Sequence, residues 1–290
     1  MKKLIVNADD FGFTSGVNRG IVRAFQNGIV TSCTIMASGD AFDHAVELAR
    51  QEPRLPVGCH LTLVNARPVA PAGQIGSLLN GSSSLPGTLA EVLLRLVSGT
   101  AKQEHIEREF RAQIETVMSA GINPTHLDTH KHLHAHPRIF EALVTVAREF
   151  GISRVRNPFE QVRRNSPRGI RARQQGREFK KQQAAALAMR MVRRAFRGRL
   201  QAEELRAPDC CYGISLTGML DSSAIQEVVR QLESGVTELI CHPGLYDEHL
   251  ERAVTRLKRE REVEVEALTD PQVRTTINDN QVELISYRDI

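Results

Sequence analysis

The sequence predicts an α/β fold, a distorted (β/α) TIM-like barrel of about seven strands that carries an Arg-rich helical insertion. Three observations support this. Short runs rich in β-branched residues alternate with segments of helical periodicity, which is typical of βα units and a mostly parallel sheet. The apolar runs are nearly continuous, as expected for strands covered on both faces. Polar residues suited to metal binding follow at least four of these runs, and barrel enzymes build their sites at the carboxyl ends of strands.

The individual elements follow from local signals. Apolar or β-branched runs predict short strands at 4–6, 30–37, 57–63, 125–130, 155–156, 212–216, 237–241 and 282–286. Apolar residues at helical spacing predict helices at 17–25, 41–50, 89–97, 104–120 and 138–150. Residues 65–88 are rich in Gly, Pro and Ser and predict a long loop. The same elements in an open doubly wound sheet are the alternative architecture.

The net charge of +4 conceals one concentrated basic block. Between Arg163 and Arg206 there are fourteen Lys or Arg and three acidic residues, whereas the rest of the chain is net acidic. We therefore expect a single domain, residues 1–290, with a basic, mainly helical insertion at 160–207.

Three interpretations of the insertion stay open. It is a solvated helical segment, a membrane-surface element or a nucleic-acid-binding surface. An apolar row formed by Leu187, Met191 and Ala195 lies apart from the neighbouring arginines, which is the layout of an interfacial cationic helix. Only Phe179 and Phe196 could stack on bases, so we expect no nucleic-acid partner.

Composition also limits the cellular setting. No apolar run has the length needed to span a bilayer. The first ten residues hold a three-residue apolar run followed by two aspartates, which predicts a first strand and not a signal peptide. Five scattered cysteines predict reduced thiols in a cytoplasm. We expect a cytoplasmic protein, peripheral at the inner membrane if the insertion is interfacial, and leave a homodimer open.

Residues 125–137 hold the densest cluster of chemically versatile side chains. Five of the ten histidines fall within eleven residues, with Asp128 among them. Imidazole is the commonest protein metal ligand, so the cluster predicts a metal-dependent enzyme; a solvated His-rich surface is the alternative. His126, Asp128 and His130 share one strand face. His130 is nearest the carboxyl end and is the better ligand, while Asp128 and His126 can orient ligating imidazoles.

The remaining histidines of this segment follow the strand. His132 and His134 are expected over the mouth of the pocket. His136 precedes Pro137, a signal for the first helical residue, so we expect a capping or surface role for it.

Three other strand ends supply candidates. Asp9 and Asp10 are adjacent carboxylates that repel unless a cation compensates, although a turn with a helix cap also explains them. His60 lies in the 57–63 strand and is either a ligand or a core residue. His242 ends an apolar strand before a Pro-Gly turn, where it is either a turn residue or a general acid.

Four motifs stand together in this chain: Asn7-Ala8-Asp9-Asp10-Phe11-Gly12, Gly58-x-His60-Leu61, Thr125-His126-Leu127-Asp128-x-His130-x-His132-x-His134 and Glu238-x-x-x-His242-Pro243-Gly244. With them, the chain resembles the YdjC-like carbohydrate deacetylases. The segments 155–160 and 213–219, together with the Arg-rich insertion, resemble the hopanoid-biosynthesis-associated branch of that family.

The resemblance implies a distorted barrel that removes an N-acetyl group from an amino sugar. Asp10, His60 and His130 would hold a divalent metal ion, Mg or Zn, and Asp9 would be the general base. One carboxylate and two imidazoles leave positions open for water and substrate, as in catalytic metal sites.

Other roles follow from the same resemblance. His242 would protonate the leaving amine, with His134 as second choice, and Arg156 and His132 would contact the substrate. The expected substrate is an N-acetylglucosaminyl hopanoid lipid or a related glycan, and the alternative is a chito-oligosaccharide. A phosphoesterase, an amidohydrolase or a non-catalytic metal- or lipid-binding protein remains as a rival.

Overall fold

The computed structural model of the chain describes residues 1–81, 83–161 and 176–290. In these ranges, seven parallel strands form one sheet in the order β4-β3-β2-β1-β6-β5, and β7 pairs with the amino-terminal half of β1. The strands are β1 (Lys2–Phe11), β2 (Ser32–Ile35), β3 (Val57–Leu61), β4 (Leu127–Thr129), β5 (Cys210–Tyr212), β6 (Gly235–Cys241) and β7 (Val282–Ile285).

The segment 154–161 joins the two outer strands of this curled sheet. Val155 bridges to Leu127 of β4, and Glu160 bridges to Cys211 of β5, both in parallel orientation. The predicted TIM-like barrel is therefore confirmed, and an open doubly wound sheet is excluded because both outer strands have partners. The barrel closes irregularly between β4 and β5, because isolated bridges and not a continuous strand connect them.

Helices connect the strands and cover the sheet, as βα units require. They are α1 (Ser15–Asn27), α2 (Phe42–Gln51), α3 (Leu89–Val97), α4 (Gln103–Ser119), α5 (Pro137–Glu149), α6 (Gly176–Met189), α7 (Arg193–Ala202), α8 (Ser222–Gln231), α9 (Glu248–Arg252), α10 (Glu260–Thr269) and α11 (Pro271–Asp279). Short 3-10 turns occupy Ala72–Gln74, Gly76–Leu78, His130–Ala135, Arg190–Val192 and Tyr287–Asp289.

The two faces of β1 explain where the site forms. Leu4, Val6 and Ala8 are fully buried in the main apolar core. The alternate residues include Ile5, which packs on Tyr287, and then the buried polar residues Asn7 and Asp9. This face of β1 thus changes from apolar to polar toward the carboxyl end of the strand.

Element boundaries differ from the predicted ones at strand ends. β1 continues through polar residues to Phe11, well past the predicted end at 6. The 125–130 strand is paired only over Leu127–Thr129, and His130 begins a 3-10 turn. β5 begins at Cys210, before the predicted start at 212. Gly213 follows it with a φ of 113°, which favours glycine and ends the strand early.

The second half of the predicted insertion packs on the barrel. Residues 162–175 lie outside the described residues; α6 and α7 follow them. Phe196 of α7 is buried, and its ring centroid lies 4.1 Å from that of Phe140 and 5.1 Å from that of Phe159. By contrast, Leu187 and Met191 are 56% and 88% exposed. None of the helices described here is both long enough and apolar enough to cross a bilayer.

Phe196→Ala tests this anchoring. Loss of a buried phenyl ring costs about 3–5 kcal/mol through lost burial and the cavity left behind. We expect urea denaturation, followed by circular dichroism, to show a free energy of unfolding lower by about that amount. The control Met191→Ala removes a highly exposed side chain and should change stability by about 0.5 kcal/mol or less. Equal stabilities for the two variants would contradict the packing of α7.

Candidate active site

Asp9 and Asp10 lie at an irregularity near the end of β1. The register between β1 and β2 shifts between Ala8 and Phe11, and Asp10 has a φ of 69°, in the left-handed region. Bulges beside active sites re-aim side chains, and Asp is among the non-glycine residues that adopt this conformation most readily. Both carboxylates are buried, and the irregularity lets them face different partners.

Asp10, His60 and His130 bring one ligand atom each within 4.8 Å of one another. Oδ1 of Asp10 lies 3.6 Å from Nε2 of His60 and 3.4 Å from Nδ1 of His130, and the two nitrogens are 3.3 Å apart. This buried oxygen accepts no hydrogen bond from the residues that the structure describes. An unsatisfied buried carboxylate oxygen is costly, so the donor set fits a divalent metal ion.

Asp128 orients His60. The two residues are register partners in β3 and β4, so their side chains share one face of the sheet. Oδ1 of Asp128 lies 2.7 Å from Nδ1 of His60, which leaves Nε2 to face Asp10. Burial opposes a charge on His60, but Asp128 and then Asp9 outweigh it and raise its pKa to about 9. The carboxylates that favour a proton on this imidazole also favour a cation beside it.

Arg156 is fully buried and joins three carboxylates. Its guanidinium donates to both oxygens of Asp9, at 2.8 and 2.6 Å, and lies 2.5 Å from Asp128 and 2.8 Å from Glu238. Burial raises the pKa of Asp9, yet Arg156, together with His60 and His242, outweighs burial and holds that pKa well below its usual range. Direct contact of Arg156 with substrate, as predicted, does not fit this placement, because carboxylates already occupy its buried donors.

Glu238 extends the network to the end of the chain. The hydroxyl of Tyr287 donates to Oε2 of Glu238 at 2.8 Å, and Arg156 binds Oε1. Burial raises the pKa of Glu238 despite these partners. The C-terminal turn is thereby tied to the interior of the barrel.

Two buried residues of α10 support the site, and sequence reasoning missed both. Nη2 of Arg261 donates to Oδ2 of Asp10 at 2.6 Å, so the other oxygen faces the histidines. Glu264 accepts a 2.5 Å hydrogen bond from the backbone N–H of His242, and burial raises its pKa to about 7. One helix therefore fixes both a candidate metal ligand and the candidate general acid.

The missed residues had a weak signal in the sequence. Arg261 and Glu264 lie in the alternating run 259–266, Arg-Glu-Arg-Glu-Val-Glu-Val-Glu, which is typical of an exposed, ion-paired helix. However, Arg261, Glu264, Val265 and Leu268 recur at helical spacing, and all four are buried. This periodicity predicts that the two charged residues face inward.

His242 follows β6 and faces Asp9. Its Nε2 lies 4.0 Å from Oδ2 of Asp9, and 13% of its side chain is exposed. Burial lowers its pKa to about 4, although Asp9 and Asp10 oppose this shift. A neutral imidazole with access to solvent therefore stands beside the carboxylate that Arg156 keeps ionised.

The predicted supporting residue His126 has a different environment. It is buried and stacks on Tyr287, with ring centroids 3.5 Å apart. Its Nδ1 lies 2.9 Å from the hydroxyl of Thr125. In the described ranges, no hydrogen bond links it to His60 or His130, in contrast to Asp128.

His132, His134 and His136 follow a tight reversal of the backbone. His132 and Lys131 both have left-handed φ values, 54° and 56°. His134 is fully buried, with Nδ1 2.6 Å from the hydroxyl of Thr129, so it lies inside the protein and not over a pocket mouth as predicted. His132 is partly buried, and its buried Nδ1 has no hydrogen-bond partner among the described residues. The predicted cap is confirmed: His136 accepts from the first turn of α5.

Comparison with known proteins gives consistent matches. The family model described as YdjC-like protein matches residues 3–279. A carbohydrate deacetylase of Geobacillus stearothermophilus is 34% identical over 98% of this chain and 96% of its own length. A chitooligosaccharide deacetylase of Serratia marcescens is 29% identical over 100% of this chain and 99% of its own length. The crystal structure of a proposed cellobiose-phosphate cleavage protein from Enterococcus faecalis V583 is 26% identical, has a TM-score of 0.75 and covers 99% of this chain and 98% of that one.

Arg261→Met tests the role of α10 in the metal site. Residues that orient metal ligands typically contribute about 10- to 100-fold in metal affinity. We expect isothermal titration with zinc to show a loss in this range, because Asp10 loses the partner of its second oxygen. Arg259→Met, an exposed change two residues earlier, is the control and should bind zinc as the unmodified chain does. Unchanged zinc affinity in a folded Arg261→Met variant would contradict this role.

Proposed function

Because this chain belongs to the family of YdjC-like proteins, we propose that it is a metal-dependent carbohydrate deacetylase that hydrolyses the N-acetyl group of an amino sugar. One observation carries the proposal. The orphaned oxygen of Asp10 meets two imidazoles, while a second carboxylate, Asp9, is held ionised beside His242. A binding site alone needs no spare base.

Asp10, His60 and His130 are the proposed ligands of the metal ion. Two nitrogen donors and one oxygen donor favour zinc over magnesium, which prefers oxygen ligands and octahedral coordination. When bound, such an ion supplies a water of lowered pKa and polarises the acetamide carbonyl.

Asp9 is the proposed general base. The oxygen of the attacking water adds to the carbonyl carbon while Asp9 accepts the proton. Arg156 positions the carboxylate through two hydrogen bonds and keeps it ionised at the start of the reaction. Its role is to position Asp9 and not to contact substrate.

His242 is the proposed general acid. When the carbon–nitrogen bond breaks, a proton must reach the amine nitrogen, and acetate and a free amine leave. A pKa of about 4 makes His242 neutral at pH 7, so it must gain its proton during turnover. Asp9, which accepts a proton from the attacking water, lies 4.0 Å from His242 and is its proposed source. His134 is less suited, because it is buried against Thr129 and Phe196.

His132 remains a proposed substrate contact. It follows His130 by two residues, and its unpartnered Nδ1 can bond to a sugar hydroxyl. The left-handed backbone at this position is a further reason, since strained residues cluster where a site needs a particular side-chain direction.

Two candidate substrates of the reaction are supported by different observations. The names of the relatives favour a soluble glycan such as a chito-oligosaccharide. The exposed Leu187 and Met191, close in sequence to exposed Lys180, Lys181 and Arg194, favour an N-acetylglucosaminyl hopanoid lipid presented by an anionic membrane. Acetate release separates both from a phosphoesterase, which frees phosphate.

Asp9→Asn tests the base. General-base loss typically lowers turnover about 10²- to 10⁴-fold, so we expect acetate release from N-acetylated chito-oligosaccharides to fall by this factor while zinc affinity changes little. Chelator-treated enzyme gives the level without metal. Asp279→Asn, an exposed change at the end of α11, is the matched control. Near-normal acetate release by Asp9→Asn would show that the base is another group.

Co-sedimentation with vesicles tests the membrane contact. We expect binding to vesicles that contain phosphatidylglycerol, weaker binding at high salt and little binding to neutral vesicles, because each basic residue near an anionic surface contributes about 1 kcal/mol. Met191→Asp should reduce the bound fraction, whereas Met118→Asp on α4 should not. Binding that is independent of anionic lipid would count against the contact.

A further inference from the structure

An open cavity of about 490 Å³ is lined in part by Phe13, whose ring faces Arg261 of the candidate active site. Three chain segments build it, the loops after β1, β2 and β6 together with residues of the helices α1, α2 and α9 that follow them. Its walls include Phe13, Asp40, Asp43, His249 and Arg252. None of these residues belongs to the metal site or to the proposed acid and base.

The topology places this cavity on the catalytic face. β2, β1 and β6 are neighbours in the sheet, and all three strands are parallel. Loops that follow their carboxyl ends therefore lie on the same side of the barrel as Asp10 and His242. The metal candidates His60 and His130 come from β3 and from the turn after β4, on the β2 side of β1.

Phe13 connects the cavity with the metal site. Its ring centroid lies 5.7 Å from the guanidinium carbon of Arg261, and Arg261 donates to Asp10. A molecule with one unit over Asp10 and the next unit beside Phe13 would therefore extend directly into the cavity.

The lining has the chemistry of a sugar subsite. In the described parts of the chain, the carboxylates of Asp40 and Asp43 have neither a hydrogen bond nor an ion pair, and both residues are exposed. Carboxylates accept hydrogen bonds from hydroxyl groups. The imidazole of His249 can donate to ring and hydroxyl oxygens, as can the guanidinium of Arg252 through the donors that its ion pair with Glu248 leaves available. The Phe13 ring offers an apolar surface for the C–H face of a sugar.

We propose that this cavity is a second sugar subsite, which binds the unit next to the acetylated one in an oligosaccharide substrate. The inference rests on the proposed deacetylase function and adds to it the residues that bind the second sugar unit. Asp40, Asp43 and Arg252 select hydroxyl-rich units of an unbranched glycan, so a disaccharide is a better substrate than a single amino sugar. An elongated apolar aglycone gains nothing from these three charged residues.

The double variant Asp40→Asn/Asp43→Asn tests the subsite. Acetate release is measured from N-acetylglucosamine and from N,N′-diacetylchitobiose. Lost carboxylate–hydroxyl hydrogen bonds should lower kcat/KM for the disaccharide about tenfold and change it less than about twofold for the monosaccharide. Glu47→Gln, an exposed change on α2 outside the cavity, is the matched control. An unchanged value for the disaccharide, or an equal loss with both sugars, would overturn the proposal.

A binding measurement separates this inference from the proposed function. If the unmodified chain releases no acetate from either sugar, the deacetylase proposal fails, and the subsite is judged by saturation-transfer difference NMR with N,N′-diacetylchitobiose. Signal from the disaccharide that the double variant loses and Glu47→Gln retains supports the subsite. Absence of signal with the unmodified chain, or equal signal in all three proteins, overturns it.

Discussion

The buried guanidinium of Arg156 is the interaction on which the site depends. It neutralises charge among Asp9, Asp128 and Glu238, all three of which are almost completely buried. Removal of one partner from a buried ion pair typically costs about 3–5 kcal/mol, because the remaining charge is left uncompensated. Each partner of Arg156 also contacts a further group, since Asp9 faces His242, Asp128 orients His60, and Glu238 holds Tyr287. The guanidinium thus links the chemistry of the site to the closure of the fold.

Residues on strand ends were predictable, whereas residues on helices were not. Asp10, His60 and His130 could be placed together because parallel strands present their carboxyl ends at one edge. Helical spacing signals that Arg261 faces inward, but its contact with Asp10 depends on how α10 packs on α1, a tertiary contact without a local signal. His134 was misplaced for another reason. Lys131 and His132 reverse the chain in a left-handed conformation that ordinary propensities disfavour, so counting alternate residues beyond the strand fails.

The same left-handed residues mark positions where backbone strain is tolerated because the site needs a particular side-chain direction. Asp10, Lys131 and His132 each occupy a conformation that costs about 1–3 kcal/mol and persists only where surrounding contacts enforce it. Asp10 is held by Arg261, and the 131–132 turn lies between the His60–His130 contact and the His134–Thr129 hydrogen bond. Substitutions that remove these contacts should displace the candidate metal ligands before they unfold the barrel.

Charge balance gives an independent argument for a cation. Around the end of β1 the described residues include five buried carboxylates, those of Asp9, Asp10, Asp128, Glu238 and Glu264, against the guanidiniums of Arg156 and Arg261. Tyr287 donates to Glu238, and burial raises the pKa of Glu264 to about 7, so these two groups need less compensation. Arg261 pairs with Asp10, whereas Asp9 and Asp128 share Arg156, so the excess that remains lies around His60, between Asp128 and the second oxygen of Asp10. A proton on His60 would offset part of it, but a divalent ion offsets more and satisfies all three ligand atoms together.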